Sequence, residues 1–124
     1  MIVPFPPGGG TDIVGRALAT SLSELFGQQV VVDNRGGAGG SIGAEIGVRA
    51  TPDGYTMTFV SGSYAVNPSL YKLAYDPVND IQPVSLIGTG AFIVAVHPSV
   101  PAKSIRELVD LAKAKPGALN YGST

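Results

Sequence analysis

The chain has 124 residues, of which 14% are charged and 44% are hydrophobic, and its formal net charge is −1. This length suits one ordinary domain, and the apolar composition is typical of a folded core rather than of a disordered segment. The small net charge gives no indication of a nucleic-acid partner, and the lack of cysteine excludes disulfides and thiolate metal sites. No apolar run in the sequence reaches the roughly 18 residues that a membrane-spanning helix needs.

The first distinctive stretch is the run IVPFPPGGGTD at residues 2–12. Its prolines stiffen the backbone and remove amide donors, whereas its glycines allow a close approach of the backbone. Thr11 or Asp12 is suited to cap the helix that follows. A strand, a bare loop and a helix N-terminus in this order present free N–H groups and the positive end of a dipole. The residues alone leave two interpretations open, a tight turn and an anion-binding cradle.

Helical periodicity follows over Asp12–Phe26, with apolar positions led by Val14, Leu18, Leu22 and Leu25, and Gly27 is a natural stop. The β-branched run at residues 30–33 predicts a strand buried on both faces. After a glycine-rich loop, Ser41 is expected to cap a second helix that extends to about Ala50.

The second half continues the alternation of strands and helices. Tyr55–Ser61 reads as a strand, and Asn67 begins a short helix or turn. Residues 84–87 and 92–96 read as two strands, which only a three-residue connection separates, so we expect them to pair antiparallel or one of them to lie at an edge.

The strongest helix signal is the S-x-x-E capping box of Ser104 and Glu107, which opens a helix to about Lys115. Another strand is expected from Ala118 to Tyr121. The alternation predicts an α/β fold with a mostly parallel sheet, in which ligands lie beyond the carboxyl ends of the strands. The loops at residues 6–12, 34–41 and 61–67 are expected to meet there.

The sequence offers little for catalysis or for a cofactor. The glycine loops lack the lysine of a phosphate-binding loop, and Ile42 stands where the dinucleotide fingerprint requires its third glycine. His97, the one histidine, has no spacing that suits a metal site. Ser61 and Ser63 are candidate nucleophiles without a nucleophile elbow or a placed base. The residues therefore favour binding over catalysis, with no metal and no cofactor.

Several motifs, in order and correctly spaced, resemble one family. They are VPFPPGGGTD at residues 3–12, NRGGAGGSIGAE at 34–45, PDGYT at 52–56, NPSLY at 67–71 and LNYGS at 119–123. Together they are similar to the Bug or TctC family, the extracytoplasmic solute receptors of tripartite tricarboxylate transporters. The resemblance covers essentially the whole chain.

The resemblance implies a fold and a function. The expected fold is an α/β lobe like that of type II periplasmic binding proteins, one of two lobes that close on a ligand. The expected ligand is a small carboxylate (a di- or tricarboxylate, an amino acid or a related organic acid), which is handed to membrane transporter subunits. In this family two loops of the first lobe hold a carboxylate through backbone N–H groups and ordered waters.

Carried onto this sequence, the resemblance gives three groups of ligand-binding positions. They are Pro7, Gly8, Gly9, Gly10, Thr11 and Asp12 in the first loop, Ser61, Gly62, Ser63, Tyr64 and Asn67 in the second, and Gly122 and Ser123 at the start of the second lobe. Arg35 and the loop at residues 37–40 are expected mainly to pack the second helix against the sheet.

Relative to the family pattern, the sequence lacks an export signal, residues before the first strand and most of the chain after the tyrosine–glycine–serine turn. We therefore expect a fragment that is truncated before the second lobe is complete. Residues 1–97 would form the N-terminal part of lobe 1, and residues 98–124 the hinge exit and the incomplete start of lobe 2. A periplasmic location follows from the resemblance alone.

Two alternatives remain. The chain is a non-transporting fragment that associates as a homo-oligomer or element-swapped dimer, because the helix at 104–115 and the strand at 119–121 lack a lobe to cover them. The less favoured alternative is a hydrolase that uses Ser61 or Ser63.

Overall fold

The computed structural model of the protein describes residues 1–91 and 93–122. The chain divides into two compact units, a first unit Met1–Val84 and a second unit that begins at Ser85. The division into lobes after residue 97 stays a prediction.

A small parallel sheet lies at the centre of the first unit. Strand β1, Ile2–Val3, pairs in parallel with β2, Asp33–Asn34, so that Ile2 lies opposite Asp33. On its other side β1 contacts residues 57–59, where Ile2 forms a parallel bridge with Thr58. The Ile2 amide donates to the Met57 carbonyl at 2.7 Å, and the Phe59 amide donates to the Ile2 carbonyl at 2.9 Å. The predicted α/β fold with a parallel sheet is confirmed.

The strands are shorter and fewer than the sequence predicts. Val31 is 63% exposed, so the expectation of a strand buried on both faces at residues 30–33 is wrong. The expected strands at 84–87, 92–96 and 118–121 are absent from their described residues, and Phe92 lies outside them. β-Branched residues favour extended backbone, but a strand also needs a neighbour to pair with.

Four α-helices are present in the described part of the chain. They are α1, Gly10–Phe26; α2, Ser41–Val48, preceded by a 3-10 turn at Ala38–Gly40; α3, Ser63–Leu70; and α4, Ile105–Ala114. None of these described helices has the length and apolar character needed to cross a bilayer.

Helix α1 forms where predicted but packs on a different face. It ends at Gly27, whose φ of 64° gives the left-handed C-cap that the sequence indicates. Its buried residues are Asp12, Gly15 and Ala19, whereas Val14 is 46% exposed. A methyl group added at Gly15 would lie 3.1 Å from Val3 and 3.3 Å from the Phe59 ring. The small residues therefore let α1 lie directly on the sheet.

The predicted side-chain caps of α1 and α2 are wrong. Gly9 and Gly40 occupy the N-cap positions, and neither helix has a side-chain cap hydrogen bond. The Ser41 hydroxyl instead donates to the Ala38 carbonyl at 2.9 Å. Left-handed glycine backbone brings the chain into α2, with Gly40 at a φ of 91°, so no side-chain cap is needed there.

Helix α3 begins earlier than predicted. It starts at Ser63 rather than at Asn67 and contains Pro68 inside its span. The small polar run at 61–63, read as a loop, is in fact the entry to this helix. Serine and glycine suit both roles, which is why the sequence did not separate them.

The capping box of α4 is confirmed in its main contact. The Ser104 hydroxyl accepts from the Glu107 amide at 3.2 Å. The Glu107 carboxylate accepts from the Lys103 amide at 2.7 Å, one residue before the position that the motif predicts. The helix ends at Ala114, before Pro116 and Gly117.

The core of the first unit is small and is built around β1. Val3 is fully buried, and Ile2, Ala19 and Ala44 are 7%, 4% and 2% exposed. Helix α2 lies against the start of the first loop at Gly43, where an added methyl group would meet the Arg35 carbonyl and lie 2.8 Å from the Pro4 Cα. In the loop at residues 37–40, for which a packing role is expected, a methyl group added at Gly40 would lie 3.1 Å from the Phe5 ring.

Gly43→Ala should destabilise the first unit because its methyl group meets backbone atoms that have no room to move. We expect a loss of about 1–3 kcal/mol in the free energy of unfolding. Gly10→Ala is the matched control, since its methyl group meets nothing within 4 Å and should raise stability by up to about 1 kcal/mol. Urea unfolding followed by circular dichroism measures both. Equal stability of the two variants would contradict the packing described here.

Ser104→Ala should loosen α4 by removing its cap. A loss of about 1 kcal/mol is expected, which corresponds to roughly fivefold faster opening of the helix. Hydrogen exchange of the α4 amides measures this rate. Ser104→Asp keeps an acceptor at the cap and should exchange like the unmodified chain.

Candidate functional site

Three loops leave the sheet at the same edge. The strands run parallel, so the chain exits β1 at Pro4, β2 at Arg35 and the segment 57–59 at Val60 on one side. This edge is where parallel α/β sheets bind ligands. The structure thus brings the predicted loops to a common edge.

Asp12 is the central side chain of the first loop. It is 2% exposed, and its Oδ2 accepts from the Gly8 amide at 2.8 Å and from Arg16 Nε at 3.0 Å. Its Oδ1 accepts from Asn34 Nδ2 at 2.9 Å. These hydrogen bonds, with that from Arg16 the largest cause, lower the pKa of Asp12 from 3.8 to about 2. Asp12 is therefore ionised and fully engaged within the protein.

The next three amides differ from the Gly8 amide, which donates to the Asp12 carboxylate. Among the described residues, the N–H groups of Gly9, Gly10 and Thr11 form no hydrogen bond with a protein acceptor. They lie at the N-terminus of a 17-residue helix, where the dipole favours an anion, and the glycines are exposed. The first loop thus offers backbone donors at the carboxyl edge.

The second loop presents two hydroxyl groups. Ser61 Oγ and Ser63 Oγ lie 3.0 Å apart, and both residues are partly buried. The Tyr64 hydroxyl donates to the Pro77 carbonyl at 2.9 Å, while its ring stacks on Tyr75 at a centroid distance of 6.3 Å. Burial, with a smaller effect of Tyr75, raises the pKa of Tyr64, so this phenol remains a donor to Pro77.

Asn67 connects α3 to the glycine turn. It is 3% exposed, and its Nδ2 donates to the Gly39 carbonyl at 3.1 Å. Gly39 has a φ of 63°, and a methyl group there would approach the Asn67 amide and the Tyr71 ring. Asn67 therefore holds the entry to α2 against α3.

A narrow crevice joins the loops and does not admit a water molecule. It is lined by Pro4, Phe5, Gly40, Val60, Ser61, Ser63, Tyr64 and Asn67. The last four were predicted as site residues, and the first four were missed. Pro4, Phe5 and Gly40 belong to the quoted motifs, and the position of Pro4 and Phe5 directly after β1 was an available signal. Gly40 lies instead at the N-cap of α2.

The remaining predicted site residues lie elsewhere. Residues 7–12 are not part of the crevice wall, and the glycines among them are exposed. Gly122 belongs to the second unit, and Ser123 lies outside the described residues. Their roles in ligand binding stay predictions.

The candidate nucleophiles have local partners. Ser61 and Ser63 contact each other, and His97, in the second unit, pairs its Nδ1 with Ser99 Oγ at 2.8 Å. Within residues 1–91 and 93–122, no group of three histidine, cysteine or acidic residues is arranged to hold a metal ion.

Known proteins resemble this chain in sequence and in structure. Protein BugT of Bordetella pertussis is 41% identical over 124 residues, a match that covers 98% of this chain and 38% of BugT. A solved structure described as a periplasmic transporter is 46% identical with a TM-score of 0.83, and covers 98% of this chain and 42% of its own. R. palustris Rpa4515, solved with adipate, is 34% identical with a TM-score of 0.79 over the same shares.

The chain thus spans about two fifths of the length of these relatives. The family model described as "Tripartite tricarboxylate transporter family receptor" matches residues 14–124. The resemblance seen in the motifs is confirmed, and the chain belongs to the tripartite tricarboxylate transporter receptor family.

Proposed function

We propose that this chain carries the first-lobe part of the ligand site of a periplasmic solute receptor, which captures a small carboxylate and delivers it unaltered to the membrane subunits of a tripartite transporter. The observation that carries the proposal is that, in a member of this receptor family, the amides of Gly9, Gly10 and Thr11 have no acceptor in the described part of the chain. R. palustris Rpa4515, which is 34% identical to this chain, was solved with adipate.

The chemistry of these donors suits a carboxylate. Backbone N–H groups at a helix N-terminus bind an anion through hydrogen bonds and through the dipole, without a cationic side chain. Their positions are fixed by the helix, so little reorganisation accompanies binding. The Ser61 and Ser63 hydroxyls, at the start of α3 on the same edge, supply further donors.

The other proposed site residues shape the site. Tyr64 and Asn67 are engaged with Pro77 and Gly39, so they act as walls rather than as ligand donors. Gly8 and Asp12 are engaged with each other and support the loop.

Gly10→Pro tests this site directly. Gly10 is the first residue of α1, and Gly9 before it has a φ of −77° and a ψ of 167°, which suits a residue that precedes proline. The substitution therefore removes one N–H while the helix is kept. Loss of a hydrogen bond to a charged group should weaken adipate binding about tenfold.

Gly10→Ala is the control, because it keeps the N–H and its methyl group meets nothing within 4 Å. Isothermal titration with adipate compares both variants with the unmodified chain. The same titration is made on a chimaera in which this chain replaces the matched part of the adipate-bound relative. A chimaera that is folded but binds no di- or tricarboxylate would refute the receptor proposal.

A second candidate is favoured by exposed apolar side chains. Ile105 and Val109 on α4 are 59% and 43% exposed, and Leu25 and Phe26 at the end of α1 are 77% and 57% exposed. Faces of this kind are covered in stable proteins, and a second copy of the chain supplies a matching surface. We propose that the isolated chain associates with itself through such faces.

Multi-angle light scattering over a hundredfold dilution tests self-association. A dimer or larger species is expected at high concentration. Val109→Lys should shift the equilibrium towards the monomer, whereas Asp110→Lys, an exposed neighbour that changes charge without removing apolar surface, should do so less. A monomer at every concentration would exclude this candidate.

A further inference from the structure

We propose that Asp12, Arg16 and Asn34 form a positioning cluster that fixes the backbone of the first loop and so aims the Gly9, Gly10 and Thr11 amides at the ligand. The part that concerns the ligand rests on the proposed function. The three side chains come from α1 and from β2. Asp12, a predicted ligand-binding position, is engaged with Gly8, Arg16 and Asn34, so the proposal gives it a positioning role in place of a ligand contact.

The cluster holds the loop at two points. Asp12 accepts from the Gly8 amide at 2.8 Å, and Asn34 Nδ2 donates to the Phe5 carbonyl at 3.0 Å. These anchors lie on either side of Pro6 and Pro7, whose φ angles are fixed by their rings. With both ends held and the middle rigid, the loop has little freedom, although residues 6–10 are exposed.

The orientation of Asn34 is dictated by its neighbours. Its Nδ2 faces the Phe5 carbonyl and Asp12 Oδ1, which are both acceptors only. Its Oδ1 accepts from the Arg16 terminal nitrogen at 2.9 Å. If the Asn34 amide were flipped, its oxygen would face the Phe5 carbonyl and Asp12 Oδ1, which are both acceptors, and the hydrogen bond from Arg16 would be lost. Only one orientation therefore satisfies all three partners.

Arg16 has an electrostatic role in addition. A carboxylate beside a helix N-terminus stabilises the helix but repels an anionic ligand. Arg16 Nε lies 3.0 Å from Asp12 Oδ2 and offsets this negative charge, and the same hydrogen bond is the largest cause of the lowered pKa of Asp12. Its fork reaches Asp12 and Asn34 together, which lysine does not reproduce.

The cluster also decides which amide the ligand meets first. Asp12 occupies the Gly8 N–H, so the donors left for an external carboxylate begin at Gly9. An internal anion and an external one thus share a helix N-terminus. Without Asp12 the Gly8 amide would have no internal acceptor. A ligand could then bind to Gly8 in place of the amides that follow it.

The first experiment measures the loop without any ligand, on the ¹⁵N-labelled chain. We expect slow hydrogen exchange at the Gly8 amide, at least tenfold faster exchange in Asp12→Asn and Arg16→Gln, and no change in Asp110→Asn. As the pH falls, the Gly8 amide shift should follow Asp12 with a midpoint of about 2. Since Arg16 is the main cause of the low pKa, Arg16→Gln should move this midpoint upward towards 3.8.

The second experiment measures adipate affinity by titration calorimetry, on this chain and on the chimaera. Arg16→Gln should weaken binding about tenfold, and Arg16→Lys should recover part of the loss by restoring the charge. Arg49→Gln is the matched control, because it breaks the exposed Arg49–Glu45 pair of 2.8 Å on α2. Unfolding midpoints are recorded for each variant, so that a loss of fold is recognised.

The outcomes separate the two proposals. Fast Gly8 exchange in the unmodified chain, or exchange and affinity unchanged in folded Arg16→Gln, would overturn the positioning cluster. Slow Gly8 exchange that Arg16→Gln abolishes, with weakened adipate binding, supports it. If Gly8 responds as expected but neither protein binds any carboxylate, the ligand part of the inference falls together with the proposed function, and the cluster stands as a loop anchor only.

Discussion

The buried carboxylate of Asp12 is the interaction on which the carboxyl edge of the sheet depends. An ionised group that is 2% exposed is costly unless it is paired and hydrogen-bonded, and Asp12 receives donors from Gly8, Arg16 and Asn34. Each donor comes from a different place in the fold, namely the first loop, α1 and β2. One side chain therefore holds together three segments that lie up to 26 residues apart in the sequence.

The close packing of the helices places those segments within reach of one another. Gly15 lets α1 lie on Val3 and Phe59, and Gly43 lets α2 lie on Pro4. Larger side chains at either position would lift a helix from the sheet and move its N-terminus away from the edge. The glycines of this chain thus have a geometric role in the site, even where they lie outside it.

Much of the fold could be predicted from local sequence. The period of α1, its Gly27 stop and the Ser104–Glu107 cap all depend on neighbouring residues, and the structure contains each of them. The buried face of α1 and the missing strands could not be predicted this way. Which face packs, and whether an extended run finds a partner, are decided by contacts between distant residues. The same applies to the crevice residue Val60, whose position follows from the contact of residues 57–59 with β1.

Asp12 shows why the candidate site could be predicted only in part from the sequence. Its place at the start of a helix suggested a helix cap. The carboxylate instead accepts hydrogen bonds from the Gly8 amide, which precedes the helix, and from the Asn34 side chain on β2. Arg16, one turn later on the same face, was a signal that the aspartate is held by charge as well as by backbone.

The positioning cluster proposed above would hold an exposed, glycine-rich loop in one conformation through internal contacts. A loop whose only anion were the ligand would have to be ordered by that ligand, at a cost in affinity. Here the Asp12 carboxylate holds the Gly8 amide and its charge is offset by Arg16, and the proposed function assigns the next amides along the helix to an external carboxylate. Backbone amides recognise a carboxylate group and nothing beyond it, so under the proposed function discrimination among carboxylates would come from residues that contact the rest of the molecule.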